Sequence, residues 1–85
     1  MFENNLVKPF YIIEVKVKTK YKTYLSNYCD MLQSNIHFQG VEVEEGKEIN
    51  SLEDANTILE GYKTEVYYPW SSVVSIDLKR LLKKE

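Results

Sequence analysis

The sequence contains one cysteine, Cys29, and one histidine, His37. A single thiol excludes an internal disulfide, and the two residues together cannot furnish a closed zinc site. No run of 18 apolar residues is present, so no segment reads as a transmembrane helix. The opening MFENNLVKPF has neither a basic head nor an apolar stretch and does not read as a signal peptide. The expected setting is therefore reduced and cytoplasmic, away from membranes. Gly and Pro number only five in 85 residues, which argues against a disordered or low-complexity chain. A phosphate-cradling Gly-rich motif, a cluster of zinc ligands and a Gly-x-Ser-x-Gly elbow are also missing. No nucleophile, base and orienter are suggested around His37. The expectation is a protein that is not an enzyme and uses no cofactor and no metal.

Aromatic residues are plentiful: seven Tyr, three Phe and one Trp, 13% of the chain. The length reads as one domain over residues 1–85, with its core at about 10–78. A domain this small buries roughly 60–65% of its extended surface, so its core is marginal. With disulfide and metal excluded, oligomerisation is the remaining way to supplement it. The net charge of −2 conceals a segregation. Residues 1–28 carry five Lys against two Glu, 29–61 eight acids against one Lys, and 62–85 five bases against three acids.

Phe10 to Thr23 alternates with period two, the pattern of a half-buried strand. Tyr11, Ile13, Val15, Val17, Thr19, Tyr21 and Thr23 fall on one side; Lys16, Lys18, Lys20 and Lys22 fall on the other. Fourteen residues exceed the usual strand length, so a bend is expected near Thr19–Lys22. Tyr24 to Asn35 reads either as a second strand or as a turn of helix. Ile36 to Glu44 alternates again, with Gly40 suggesting a bulge or sharp bend. Gly46-Lys47 marks a turn. Ser51-Leu52-Glu53-Asp54 has the form of a helix N-cap, and Leu52, Ala55, Ile58 and Leu59 follow at helical spacing. Gly61 stands where a C-cap glycine would. Tyr62–Tyr68 and Val73–Leu78 read as strands around a Pro69-Trp70-Ser71-Ser72 turn, since Pro69 cannot donate to a ladder. The tail Asp77–Glu85 reads as a short amphipathic C-terminal helix or a frayed basic end. The expected fold is mainly β: a small five-stranded, strongly bent antiparallel barrel, with a short helix before the fourth strand.

The candidate residues divide into inert and interactive. His37 reads as a solvent-facing strand histidine, and Cys29, beside Asp30, as an inert buried thiol. Glu42, Glu44, Glu45 and Glu48 lack the spacing of a calcium loop and read as a solvated acidic face. Lys16, Lys18, Lys20 and Lys22 would neutralise phosphates or protect a sheet edge. Trp70, flanked by Tyr67, Tyr68 and Pro69, would stack a base or anchor an interface.

Val66-Tyr67-Tyr68-Pro69-Trp70-Ser71-Ser72-Val73-Val74-Ser75-Ile76 resembles the second motif of the Sm-like family (Sm, Lsm and Hfq proteins): apolar strand, short turn, apolar strand. Val15-x-Val17, Asp30 and Asn35-Ile36-x-Phe38 resemble its first motif with one extra residue. The likeness covers roughly residues 10–78. Pro69-Trp70 replaces the family's Arg-Gly or Lys-His turn, and the glycine usual in the bent second strand is missing. The short chain, rich in Lys, Asn, Ile and Tyr, resembles Sm-like proteins of phages. The resemblance implies an Sm-like, SH3-like barrel and a closed homo-oligomeric ring, with the fourth strand of one subunit pairing with the fifth of the next. It implies single-stranded RNA binding near Asp30, Asn35, Pro69 and Trp70, with Lys16 and Lys18 as candidate phosphate contacts. The alternative is a ring that has lost RNA binding and holds a host or phage protein. Assembly is expected to depend on Val73–Leu78, with Val74 and Ile76 buried.

Overall fold

The computed structural model describes residues 9–80. The chain is mainly β, a curled antiparallel half-barrel with one short helix. The strands are β1 (Phe10–Val17), β2 (Lys20–Ser26), β3 (Asp30–Met31) and β4 (Asn35–Val43). Helix α1 (Leu52–Leu59) follows, then β5 (Thr64–Pro69) and β6 (Val73–Lys79), joined by a 3-10 turn at Trp70–Ser72. The two-residue β3 pairs with β4 as β2 does, so β2 and β3 form one interrupted strand. The path across the sheet is then β5, β4, β2 with β3, β1 and β6. Among the described residues β5 pairs only with β4 and β6 only with β1, which leaves an open edge at each end of the curl.

Alternation in β1 holds. Tyr11, Ile13, Val15 and Val17 face the concave interior, and Phe10 and Ile12 face the convex side. The expected bend near Thr19–Lys22 is instead a tight hairpin at Lys18–Thr19, with Val17 registered against Lys20. That turn reverses the face of everything after it. Tyr21 pairs with Lys16 on the convex face, while Lys22 pairs with Val15 on the concave one. The four lysines therefore form no single-faced stripe. Tyr24–Asn35 contains no helix; β2 runs on to Ser26 and then breaks. The buried Ser26 hydroxyl sits at the break, 2.7 Å from the Gln39 carbonyl and 2.6 Å from that of Tyr28. It also accepts from the Tyr28 N–H at 3.2 Å.

Gly40 makes no bulge. It lies where β4 changes partner, from β5 through Gly40 to β2 from Val41. A Cβ there would stand 2.9 Å from Phe38 Cε2 and 3.2 Å from the Leu25 carbonyl, so the close approach of a ring and a backbone requires the glycine. Helix α1 starts as expected: Ser51 Oγ accepts from the Asp54 N–H at 3.1 Å, with Glu53 and Asp54 in the first turn. Glu60 is the C-cap, and the Gly61 N–H donates to the Ile58 carbonyl at 2.9 Å. The 45–46 turn uses Gly46 at φ 81°, with the Lys47 N–H bonded to the Glu44 carbonyl at 3.0 Å.

Apolar residues gather on both faces of the sheet. On the convex face Phe10, Leu25 and Ile49 pack with Ala55 and Leu59 of α1. On the concave face Ile13, Val15, Tyr24, Ile36, Phe38 and Val66 form the second cluster. Strand β6 carries a bulge opposite Glu14 and Val15. The bulge turns Val74 outward, 48% exposed, which corrects the expectation that it is buried; Ile76 does pack on the concave cluster. The expected tail helix is replaced by strand as far as Lys79, Arg80 follows without regular structure, and residues 81–85 lie outside the described residues. No helix among the described residues is long and apolar enough to cross a membrane.

Candidate nucleic-acid interface

Two turns far apart in sequence meet at one end of the half-barrel. The first joins β3 to β4 and is closed by a hydrogen bond from the Leu32 N–H to the Asn35 carbonyl at 2.9 Å. The second joins β5 to β6 through Trp70–Ser72. The indole Nε1 of Trp70 donates to the Leu32 carbonyl at 2.9 Å, and Asn35 is registered against Pro69. Asn35, Pro69 and Trp70 thus lie side by side, with Asp30 one strand away, opposite His37. Trp70 remains 36% exposed beside the exposed Met31 and Leu32. The Asn35 side chain donates to the Ile36 carbonyl at 3.0 Å, which fixes its amide and leaves its oxygen as an acceptor.

Lys16 and Lys18 approach the same end. Val15 faces Val73, so the β1–β2 hairpin runs on past the Trp70–Ser72 turn. Both lysines are exposed, and Lys16 Nζ lies 6.0 Å from the centre of the Tyr21 ring. Lys18 holds φ at 60°, in the left-handed region. Among the described residues no ion pair involves Lys16, Lys18, Lys20 or Lys22. An unneutralised basic hairpin beside an exposed aromatic turn offers phosphate contacts and a stacking surface together.

His37 has more company than its sequence neighbours suggest. Its Nδ1 lies 3.6 Å from Asp30 Oδ2 and its Nε2 3.3 Å from Glu65 Oε2. The Tyr67 ring stacks on the imidazole with centroids 4.3 Å apart and planes 12° apart, and Tyr28 meets its edge at 6.5 Å. The signal for this cluster was parity: His37 and Gln39 share a face with Tyr67 and Glu65 once β4 and β5 are paired in register. The two carboxylates address different ring nitrogens, and no group of three or more metal-ligating side chains occurs among the described residues.

On the concave side, Tyr24 and Tyr68 share a hydrogen bond between their hydroxyls at 3.2 Å. Burial raises the Tyr24 pKa well above the usual tyrosine value, aided by the bond to Tyr68 and by the charges of Tyr68 and Glu42. Burial, then the charge of Asp30, pushes the Cys29 thiol up, so it is a poor nucleophile. Searches against family models, curated proteins and solved structures find no match to this chain.

Proposed function

We propose that the chain forms a closed homo-oligomeric ring of the Sm-like kind and binds single-stranded RNA at the end carrying Asp30, Asn35, Pro69 and Trp70. The observation that carries this reading is the bond between Trp70 Nε1 and the Leu32 carbonyl, which joins the two turns that the motif resemblance pairs. The strand path supports it, since a sheet running from β5 to β6 has two open edges for a neighbour on each side. Ring closure would repeat Trp70 around an axis, with Lys16 and Lys18 available to phosphates. Stacking of a base on an aromatic side chain is worth about 1–3 kcal/mol.

The test is salt-dependent binding of short oligo-U and oligo-A to the assembled protein. Binding that weakens steeply as salt rises is expected; no binding at low salt, with the oligomer intact, removes the RNA reading. One observation favours a second reading, a ring that holds a host or phage protein: the Trp70 N–H is already engaged within the chain, so the indole acts as a structural clasp. Trp70→Ala separates the two. Loss of RNA affinity with assembly unchanged supports stacking, and loss of the fold or the oligomer supports the clasp.

A further inference from the structure

Apart from Asp30, the residues around His37, Tyr67 and Glu65 above all, are not used by the RNA-binding reading, and their geometry points outward. Because His37 and Tyr67 are cross-strand partners with nearly parallel rings, one face of Tyr67 is covered from the β4 side. Its other face looks across the open edge of β5, and Tyr67 is 62% exposed. Glu65 lies two residues away on the same face, more than half exposed. An aromatic face beside a carboxylate suits a cation.

The open edge of β6 supplies one. Its convex face carries Ser75, Asp77 and Lys79, and its concave face Ile76 and Leu78. An antiparallel pairing of β5 with the β6 of a second copy must keep the two faces continuous, which restricts the register to steps of two residues. Placing Glu65 opposite the partner's Asp77 sets like charges against each other. Placing Tyr67 opposite the partner's Lys79 sets the partner's Arg80 against the buried Val66. The register between these places Glu65 opposite the partner's Lys79. Val66 then meets the partner's Leu78, and Tyr68 meets the partner's Ile76, so all four concave residues are apolar or aromatic. The partner's Lys79 is also diagonal to Tyr67, about 7–8 Å away and within reach of the open ring face. The partner's Asp77 falls opposite Tyr67.

We infer that the Tyr67–His37–Glu65 cluster is the receiving site for Lys79 of a second copy, and that this contact sets the register of the joined sheet. The inference rests on the ring reading for the existence of an assembly, and adds the residues that align it. In the ring, each copy gives one lysine and receives one.

Sedimentation of the full chain is the readout. Glu65→Lys and Lys79→Glu should each weaken assembly several-fold per contact, and the double exchange should restore it. In a Cys29→Ser background, Tyr67→Cys with Asp77→Cys should form a disulfide between copies, whereas Tyr67→Cys with Ser75→Cys should not. These positions are exposed or part-buried, and circular dichroism verifies the fold of each variant. A wild-type chain that stays monomeric overturns the ring reading itself. A wild-type oligomer indifferent to both charge reversals, or cross-linked through the Ser75 pair, overturns this register and leaves the ring standing.

Discussion

The two faces of the sheet are finished to different degrees. On the convex face, α1 lies over Phe10, Leu25 and Ile49 and supplies Ala55 and Leu59, so a single chain covers its own apolar surface. The concave cluster is lined by strands from both ends of the sheet and is richer in aromatic rings. Tyr24 meets Phe38 edge-on at 5.4 Å and Tyr68 at 6.3 Å. Its margin, formed by Tyr11, Tyr68, Val73 and Ile76, is only partly buried, and β5 and β6 do not pair with each other to close it. One face is covered by a local helix; the other is left open at its margin. In the proposed ring, that open margin is where a neighbouring copy would add to stability.

The strongest way to break the comparison is Phe38→Ala. Phe38 is fully buried at the centre of the concave cluster, and its removal leaves a cavity walled by strands that cannot collapse independently. A loss of about 3–5 kcal/mol is expected in urea denaturation, a large share of the stability of so small a domain. Leu59→Ala, on the 8%-exposed edge of the convex cluster, should cost less. Equal losses would contradict the difference between the faces.

Gly40→Ala acts on the same ring from the backbone. The added methyl would lie 2.9 Å from Phe38 Cε2, which can shift, and 3.2 Å from the Leu25 carbonyl, which belongs to a paired strand and cannot. A cost of about 1–3 kcal/mol follows. Combining it with Phe38→Leu should recover part of that loss if the ring is the main obstacle, a coupling that a double-mutant cycle measures.

Much of the fold was legible because β1 is buried strongly on one side and α1 announces itself through Ser51. The reading failed where burial became two-sided. Tyr24 and Leu25 are adjacent and both buried, one on each face, so alternation disappears midway through β2. It failed again at Lys18, where a left-handed turn is made without the glycine or asparagine that normally marks it. At the candidate site, Asp30, Asn35, Pro69 and Trp70 could be named from a motif. The Trp70–Leu32 bond and the His37 cluster depend on strand registers, which no local pattern encodes.

Alkaline pH should weaken the concave face selectively. The raised Tyr24 pKa means that the folded state holds this proton more tightly than the unfolded state does. Its contribution is complete below the ordinary tyrosine value near 10 and falls as pH rises above it. Stability measured from pH 8 to 11 in a Cys29→Ser background should decline, and Tyr24→Phe should flatten the decline. An unchanged slope would show that other groups carry it.

On the convex face, Ser51→Ala removes the acceptor for the Asp54 N–H and should cost about 1 kcal/mol. The effect is confined to α1, so the proposed oligomer should persist in sedimentation. Loss of assembly would show that α1 itself takes part in subunit contacts.

The smallest effect separates stability from binding at the hairpin between the faces. Lys18 at φ 60° pays the steric cost of a left-handed residue bearing a Cβ, and glycine avoids that cost while giving up more freedom in the unfolded chain. The opposing terms leave a net gain of about 0.5 kcal/mol for Lys18→Gly, roughly 2–4 °C in Tm. The same change deletes an exposed, unpaired ammonium beside the Trp70 turn. If Lys18 contacts phosphate, affinity for oligo-U should fall and the slope of log K against log salt should lessen by about one. A variant that melts higher and binds RNA more weakly assigns Lys18 to the interface. One that melts higher and binds unchanged leaves the lysine as protection for an exposed hairpin.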